Sequence, residues 1–223
     1  MGRSATHLVL LDLDGCLVDS TAAITGSIRH ALSEVGVRAP AANDLRWCIG
    51  PPLLESLRTL LLAADADPDL APRCLDGFRA HYRTASLELT AVIPGIPEAL
   101  GALAARARMA VVTSKPGEAA EPLIDHLGLS SWFEAVFAPR SDHGVEPKTV
   151  TLSRALASLA PEDDPARAVM IGDRSHDVLA GVACGTRTVG VSWGAGDRAE
   201  LHAAGADHVV DAPADLPGAV FGP

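Results

Sequence analysis

Short apolar runs alternate along the chain with longer stretches in which Leu, Ala, Ile and Val recur at helical spacing. The helical spacing extends over residues 96–106, 117–127, 149–159 and 176–183. The first four apolar runs have no polar face, which is typical of strands covered by helices on both sides. This alternation predicts an α/β fold with a doubly wound parallel sheet. The runs predicted as strands are residues 7–11, 109–113, 135–138, 168–171, 188–192 and 208–210.

One stretch interrupts the alternation. Between residues 19 and 89 no strand is predicted, and helical spacing is found over 22–35, 53–63 and 71–84. A connection of roughly 70 residues far exceeds the usual ~2–6 residues between a strand and the next helix. We therefore predict an all-helical cap, residues 19–89, inserted after the first strand of a core made of 1–18 and 90–223.

Charge and cysteine usage narrow the function. The 223 residues carry a formal net charge of −10 and no run of Lys or Arg, so we expect no nucleic-acid polymer as partner. No apolar run reaches the roughly 18–20 residues of a membrane-spanning helix. With no CxxC pair and no recognised signal peptide, we expect reduced thiols in a cytoplasmic protein. The expected oligomeric state is a monomer or a homodimer. The cysteines are Cys16, Cys48, Cys74 and Cys184.

Polar residues with chemical potential follow the predicted strands where each strand ends. In an open parallel sheet the carboxyl ends of all strands lie along one edge, where such folds bind ligands. We therefore expect four separate segments to deliver carboxylates, hydroxyls and an amine to one place. The residues are Asp12 and Asp14, Thr113 and Ser114, Lys148, and Asp173 with Asp177.

The four aspartates at this edge predict a metal ion. Two like charges ~4 Å apart repel by about 4 kcal/mol at an effective dielectric near 20. Protons or a cation must relieve such repulsion. Oxygen ligands with open positions suit Mg²⁺, which shares its coordination with water and substrate phosphate. The predicted metal site is therefore built from Asp12, Asp14, Asp173 and Asp177.

The same edge has the groups that phosphate chemistry needs. Asp12 and Asp14 are two residues apart on an extended chain, so their side chains leave on the same side, which suits one nucleophile and one proton carrier. Lys148 and the hydroxyl of Thr113 or Ser114 could hold phosphate oxygens. The helix that follows near residue 116 offers free N–H groups at its start.

Lysine usage favours a role for Lys148. Of 18 basic residues only Lys115 and Lys148 are lysine, and the rest are arginine. Lysine is a compact point charge and arginine a planar fork, so a site that needs one ammonium beside a phosphate explains Lys148. For Lys115, chance is an equally good explanation.

Four segments, DLDGCL, VVTSKP, EPKTV and IGDRSHD, are similar in order and spacing to the motifs of the haloacid-dehalogenase-like (HAD) superfamily. The resemblance covers nearly the whole chain. Within the insert, WCIGPPL and FRAHYR look like the helical cap of its phosphoglycolate-phosphatase-like and 5′-nucleotidase-like members. The resemblance implies a Rossmann-like core and phosphoric monoester hydrolysis.

The resemblance also implies residue roles. Asp12 would be the nucleophile that forms an aspartyl-phosphate. Asp14 would protonate the leaving alcohol and then deprotonate the attacking water. Thr113 and Lys148 would bind the phosphoryl group.

For the metal, the resemblance implies that Asp12, the backbone carbonyl of Asp14 and Asp173 hold Mg²⁺. Asp177 would position the metal's water or Lys148. The chain departs from the family where Cys16 replaces the usual Thr, and where Thr149 rather than Pro follows the lysine of the third motif.

Two other regions have less distinct interpretations. Arg46 and Gly50, in the insert, could form a cap surface that closes over substrate, although a simple turn between helices explains them equally well. His176 lies beside Asp177 and could face the site, although we favour a solvated side chain.

The expected function is therefore Mg²⁺-dependent hydrolysis of a small phosphomonoester, such as phosphoglycolate or a nucleotide monophosphate. A dehalogenase is disfavoured because a halide leaving group needs no Asp14, and a phosphonatase because residues 16–93 contain no lysine. A phosphomutase of the same superfamily, or a non-catalytic member that binds a phosphorylated ligand, remains open.

Overall fold

The computed structural model describes residues 7–140, 146–160, 162 and 164–222. The chain divides into two compact units: Asp19–Ala91, and the segments of chain that precede and follow it. The predicted insert ended at residue 89, two residues earlier. The division falls within two short strands that form a two-stranded sheet, β2 (Val18–Asp19) and β3 (Ala91–Val92).

The larger unit is built on a parallel sheet of six strands, in the order β5-β4-β1-β6-β7-β8. Every recorded pairing in this sheet is parallel. The doubly wound α/β prediction is therefore confirmed. The strands are β1 (His7–Leu11), β4 (Ala107–Val112), β5 (Val136–Phe137), β6 (Ala168–Gly172), β7 (Arg187–Val191) and β8 (His208–Val210).

Helices flank this sheet, and apolar side chains on both faces explain why. Successive strand residues point to opposite faces, and Val9, Leu10 and Leu11 are all completely buried. The α-helices are α4 (Ile96–Ala104), α5 (Gly117–His126), α6 (Lys148–Leu159), α7 (Ser175–Ala183), α8 (Arg198–Ala203) and α9 (Leu216–Phe221). Short 3₁₀ helices span Ser130–Trp132, Pro165–Arg167 and Pro213–Asp215.

The register of the central strands positions the functional edge. Leu11, the last residue of β1, lies opposite Val111 of β4 and Ile171 of β6. Since the three strands end almost level, the residues that follow them emerge side by side.

The smaller unit is helical among its described elements, apart from the residues of β2 and β3. Its helices α1 and α3 pack along faces that bury Ile28 and Leu32 on one side and Phe78 and Tyr82 on the other. Helix α3 extends five residues beyond its predicted end at 84, and Thr90 then turns to an extended conformation. The helices are α1 (Thr21–Glu34), α2 (Leu53–Ala63), α3 (Ala71–Leu89) and the 3₁₀ helices Ala42–Cys48 and Pro68–Leu70.

Two further expectations concern the whole chain. Among the described residues, no helix combines the length and the apolar character needed to cross a membrane. The four cysteines are all unpaired, as the expected reduced thiols require.

Candidate active site

The residues predicted to act together come from the carboxyl ends of β1, β4 and β6 and from the first turns of α6 and α7. Helix α6 begins at Lys148 and α7 begins at Ser175. The adjacency of β4, β1 and β6 in the sheet therefore brings four distant segments to one edge.

Lys148 is the centre of this group. Its Nζ lies 2.7 Å from Oδ1 of Asp12 and also pairs with Oδ1 of Asp177. All three side chains are buried. Burial alone would lower the pKa of Lys148, but the charges of Asp12 and Asp177 outweigh it and raise that pKa. The ammonium therefore stays charged beside the predicted nucleophile.

Asp177 connects this lysine to a helix. Its Oδ2 accepts the backbone N–H of Arg174 at 3.0 Å and so caps the start of α7, where a negative charge is favourable. Although burial opposes ionisation, the charges of Lys148 and His176 hold the pKa of Asp177 below its ordinary value. Both oxygens of Asp177 are thus engaged, one with the helix and one with Lys148.

Asp173 is buried, with 1% of its surface exposed. Its Oδ2 accepts the N–H of Ala195 at 2.7 Å, whereas its Oδ1 has no hydrogen-bond partner among the described residues. Burial raises the pKa of Asp173, and the charges of Asp177 and Asp12 add to the rise. A buried carboxylate oxygen without a hydrogen-bond partner needs an explanation, and binding of a metal ion would provide one.

Two glycines let the backbone approach Asp173. A Cβ on Gly15 or on Gly194 would overlap the Asp173 carboxylate. Gly15 also has φ +80°, a conformation that residues with a side chain rarely adopt. The Gly of DLDGC is therefore required both by its turn and by the carboxylate that packs on it.

Asp12 completes the acidic cluster. Burial raises its pKa, and the charges of Asp177 and Asp14 act in the same direction against that of Lys148. Without a metal, the folded site thus disfavours the ionised forms of Asp12 and Asp173. Ligand atoms of Asp12, His176 and Asp177 lie within 4.8 Å of one another. The donors present are mainly carboxylate oxygens, which fit a hard divalent cation.

The Asp14 side chain is engaged with Lys115 and not with Lys148. Its two carboxylate oxygens lie 2.9 and 2.7 Å from Nζ of Lys115, in a largely buried ion pair. A metal ligand at this position would therefore be its backbone carbonyl. From the sequence, chance explained Lys115 as well as a role in the site did. The rarity of lysine in this arginine-rich chain was the signal that could have indicated the contact.

The histidine interpreted as solvated also lies at the site. Nε2 of His176 is 3.7 Å from Oδ1 of Asp177, and 31% of the His176 side chain is exposed. Burial lowers the pKa of His176. His176 is therefore partly solvated and also faces the acidic group, the alternative that the sequence left open.

The turn after β4 holds the predicted hydroxyls. Thr113 is buried; its N–H donates to the carbonyl of Phe137 at 3.0 Å, and its Oγ1 accepts the N–H of Lys115 at 3.1 Å. Ser114, between them, is partly exposed.

Cys16 stands where a threonine is usual, and the structure accommodates it. The thiol lies 3.9 Å from the carbonyl of Ile171, and burial raises the Cys16 pKa, so it remains a neutral thiol. The indole N–H of Trp193 donates to the Cys16 carbonyl at 3.1 Å. The loop with Trp193, Gly194 and Ala195 thus contacts both Asp173 and the turn after β1, which sequence reasoning missed.

The two predicted cap residues lie in the helical unit. Arg46 belongs to the 3₁₀ helix Ala42–Cys48, and Gly50 follows it with φ +102°. Their contact with substrate stays a prediction.

With this geometry established, comparison with known proteins identifies the family. A sequence model described as haloacid dehalogenase-like hydrolase matches residues 9–191. The chain belongs to the haloacid dehalogenase-like hydrolases. The predicted family is thereby confirmed.

Named relatives differ in their activities. The chain is 37% identical over 191 residues to the tyrosine-protein kinase PtkA of Mycobacterium tuberculosis, covering 85% of this chain but only 63% of that protein. It is 34% identical over 198 residues to a 5′-nucleotidase of Pseudomonas aeruginosa, covering 87% and 86% of the two chains. It is 33% identical over 211 residues to a phosphoglycolate phosphatase of Cupriavidus necator, covering 94% and 90%.

A solved structure agrees with the fold. The crystal structure of a predicted phosphatase from Clostridium acetobutylicum superposes with a TM-score of 0.87 at 28% identity, covering 97% of this chain and 98% of that one.

Proposed function

We propose that the protein is a Mg²⁺-dependent phosphatase that removes the phosphoryl group of a small phosphomonoester through Asp12. One observation carries the proposal: the buried Lys148 ammonium lies 2.7 Å from an oxygen of Asp12. A phosphoryl group that approaches Asp12 from the solvent side therefore meets a nucleophile and a fixed positive charge together.

In the first step, an Asp12 oxygen attacks the phosphorus and the bond to the leaving oxygen breaks. Asp14 gives its proton to that oxygen, which leaves as an alcohol. Lys148 and the hydroxyls of Thr113 and Ser114 hold the non-bridging oxygens while charge redistributes. The product is a phosphorylated Asp12.

In the second step, Asp14 accepts a proton from water. The water oxygen attacks phosphorus, and the bond to Asp12 breaks to release inorganic phosphate. Both aspartates return to their starting states, so the cycle balances. Asp177 positions Lys148 throughout, since one of its oxygens is engaged by that ammonium and the other by α7.

For Mg²⁺, the proposed ligands are Asp12, the Asp14 carbonyl and Asp173. The unpartnered Oδ1 of Asp173 and the raised pKa values of Asp12 and Asp173 support a cation here. When bound, the ion would supply electrostatic stabilisation of the transferring phosphoryl group.

The proposed substrate is a small phosphorylated metabolite. In this proposal the helical unit serves as a cap and Arg46 and Gly50 take part in substrate binding, which favours small substrates over polymers. The names of the Pseudomonas and Cupriavidus relatives support phosphomonoesters of the nucleotide and phosphoglycolate type. The unpaired cysteines support a cytoplasmic location, and the protein acts as a monomer or homodimer.

A second candidate is phosphoryl transfer to protein tyrosine. The 37% identity to PtkA favours it, although the chain spans only 63% of that protein. The two candidates differ in the acceptor, tyrosine in one case and water in the other. A phosphomutase and a non-catalytic phospho-ligand-binding protein remain alternatives within the same superfamily.

The test measures phosphate release from 4-nitrophenyl phosphate, phosphoglycolate and nucleoside monophosphates, with Mg²⁺ or with excess chelator. We expect Mg²⁺-dependent release that Asp12→Asn abolishes. The exposed Asp125 of α5 provides the control, because Asp125→Asn removes a carboxylate outside the site. Activity retained in Asp12→Asn would refute the nucleophile, and equal activity in chelator would refute the metal.

Parallel incubations separate the alternatives. ATP with a tyrosine-containing copolymer, analysed for phosphotyrosine, tests the kinase candidate. Phosphate release that requires an added sugar bisphosphate would favour the mutase. Binding of phosphoglycolate or a nucleoside monophosphate without turnover would favour the non-catalytic protein.

A further inference from the structure

We propose that Lys115 is a positioning residue that fixes the Asp14 carboxylate for proton transfer to the leaving group. The inference rests on the proposed function, in which Asp14 is the proton carrier, and assigns a role to the second of the two lysines.

The contact itself is the first argument. Nζ of Lys115 is within hydrogen-bond distance of both Asp14 oxygens, at 2.9 and 2.7 Å. The Lys115 side chain is 5% exposed and that of Asp14 is 16% exposed. An ammonium that bridges both oxygens restrains rotation about the Cβ–Cγ bond, so the carboxylate has one preferred orientation. Exposed ion pairs rarely hold a geometry, but this pair is shielded from water.

The anchoring of Lys115 is the second argument. Its backbone N–H donates to Oγ1 of Thr113 at 3.1 Å, which closes the turn after β4. Thr113 is itself fixed to β5 through the Phe137 carbonyl. The ammonium therefore extends from a rigid turn on the strand next to β1, and it holds Asp14 by a contact that does not depend on the chain around Asp14.

The two lysines contact different carboxylates of the site. Lys148 contacts Asp12, the proposed nucleophile, and Lys115 contacts Asp14, the proposed proton carrier. All other basic residues among the 18 are arginine. A compact ammonium fits between two buried carboxylate oxygens where a planar guanidinium needs more room. Each proposed reacting carboxylate thus has its own lysine.

A positioning role has a specific kinetic signature. Proton donation matters for an alkyl phosphate, whose alkoxide is a poor leaving group, and hardly matters for 2,4-dinitrophenyl phosphate, whose phenolate leaves unaided. Proton transfer by a well-placed acid contributes about 10²–10⁴-fold. Asp14 also serves the second step, which both substrates share, so the comparison uses kcat/KM, which reports the first step. We therefore expect Lys115→Met to lower kcat/KM about 10²-fold for the alkyl substrate and by less than about 3-fold for the dinitrophenyl one.

The experiment measures kcat and KM for both substrate classes, with Mg²⁺, in four proteins: wild type, Lys115→Met, Lys115→Arg and Arg106→Met. The alkyl substrate is phosphoglycolate or adenosine 5′-monophosphate, whichever the wild type turns over faster. Lys115→Arg should recover part of the alkyl activity. Arg106 precedes β4 at the opposite end of that strand and stacks 4.1 Å from the Phe221 ring, so Arg106→Met removes a cation without touching the site. If Lys115→Met fails to fold, Lys115→Gln gives the same comparison.

The outcomes are distinct. A selective loss of alkyl activity supports the proposal. An equal loss of kcat/KM for both substrates, or no loss for either, overturns it while phosphatase activity of the wild type still stands. A wild type inactive on both classes overturns the proposed function and this role with it.

Discussion

Replacement of Asp173 by asparagine is expected to stabilise the metal-free protein while it removes the response to Mg²⁺. The asparagine carbonyl can accept the Ala195 N–H as Oδ2 does now. Its neutral amide group then lies where the unpartnered Oδ1 is, in the field of the Asp12 and Asp177 charges that raise the Asp173 pKa. A buried carboxyl group whose ionisation the folded protein disfavours is thus replaced by a neutral amide.

The size of the effect follows from the pKa of Asp173, which burial and then the charges of Asp177 and Asp12 raise from 3.8 to about 8. One pKa unit corresponds to about 1.4 kcal/mol, so the penalty at pH 8 has a ceiling on the order of 5 kcal/mol. Water entry and side-chain relaxation reduce this ceiling. An unpaired buried polar group typically costs about 1–3 kcal/mol, and we expect about 2 kcal/mol here.

The sign with pH is defined. Between about pH 4 and pH 8 the unfolded chain has released the Asp173 proton while the folded protein still holds it, so wild-type stability falls as pH rises through this window. Below about pH 4 both states are protonated, and the advantage of Asp173→Asn should vanish.

The assay is thermal unfolding at pH 4, 6 and 8, with chelator or with Mg²⁺. In chelator at pH 8, Asp173→Asn should unfold about 5 °C above the wild type. Mg²⁺ should raise the wild-type midpoint and leave that of Asp173→Asn unchanged, because the ligand is lost. Asp125→Asn, on the surface of α5, should follow the wild type. A metal-free Asp173→Asn protein that is less stable than the wild type at pH 8 would contradict the unfavourable ionisation of Asp173. A variant that keeps the Mg²⁺ response would contradict its role as a metal ligand.

Two further changes test neighbouring parts of the site. Lys148→Met leaves Asp12 and Asp177 buried without their cation; it should lower the free energy of unfolding by about 3 kcal/mol in denaturant titrations and reduce kcat/KM for alkyl and aryl phosphates alike, and a loss confined to alkyl phosphates would contradict this. Gly194→Ala places a Cβ against the Asp173 carboxylate and should weaken Mg²⁺ binding about 10-fold by calorimetry. Gly218→Ala, in open space on α9, is its control, and equal affinity in both variants would contradict the packing argument.

The sheet could be predicted because its central strands have apolar side chains on both faces. Strand β4 was predicted to begin at 109, yet it begins at Ala107. The predicted apolar run did not include Arg108. Its guanidinium donates to Glu134 at 2.6 Å and to the Leu159 carbonyl at 2.8 Å, which lets a charged residue lie in a strand. Strands β2 and β3 are two residues long, too short to give a period.

The candidate site divides in the same way. Asp12, Asp173 and Lys148 could be predicted because each follows an apolar strand or begins a helix. The loop at Trp193–Ala195 could not be predicted, because it contacts the site through an indole N–H and a backbone N–H. Its glycine matters because a Cβ there would overlap the Asp173 carboxylate. The Lys115 contact depends on which way a long side chain turns, and spacing alone does not decide that.

Phosphoryl transfer to Asp12 is tested most directly by looking for phosphate on that residue. The protein is mixed with ³²P-labelled acetyl phosphate and Mg²⁺, quenched in acid within milliseconds and digested, and the labelled peptide is identified. A phosphorylated Asp12 intermediate predicts transient label on the peptide that contains Asp12 and none in Asp12→Asn. Phosphate release without labelled protein, or label that persists in Asp12→Asn, would contradict it.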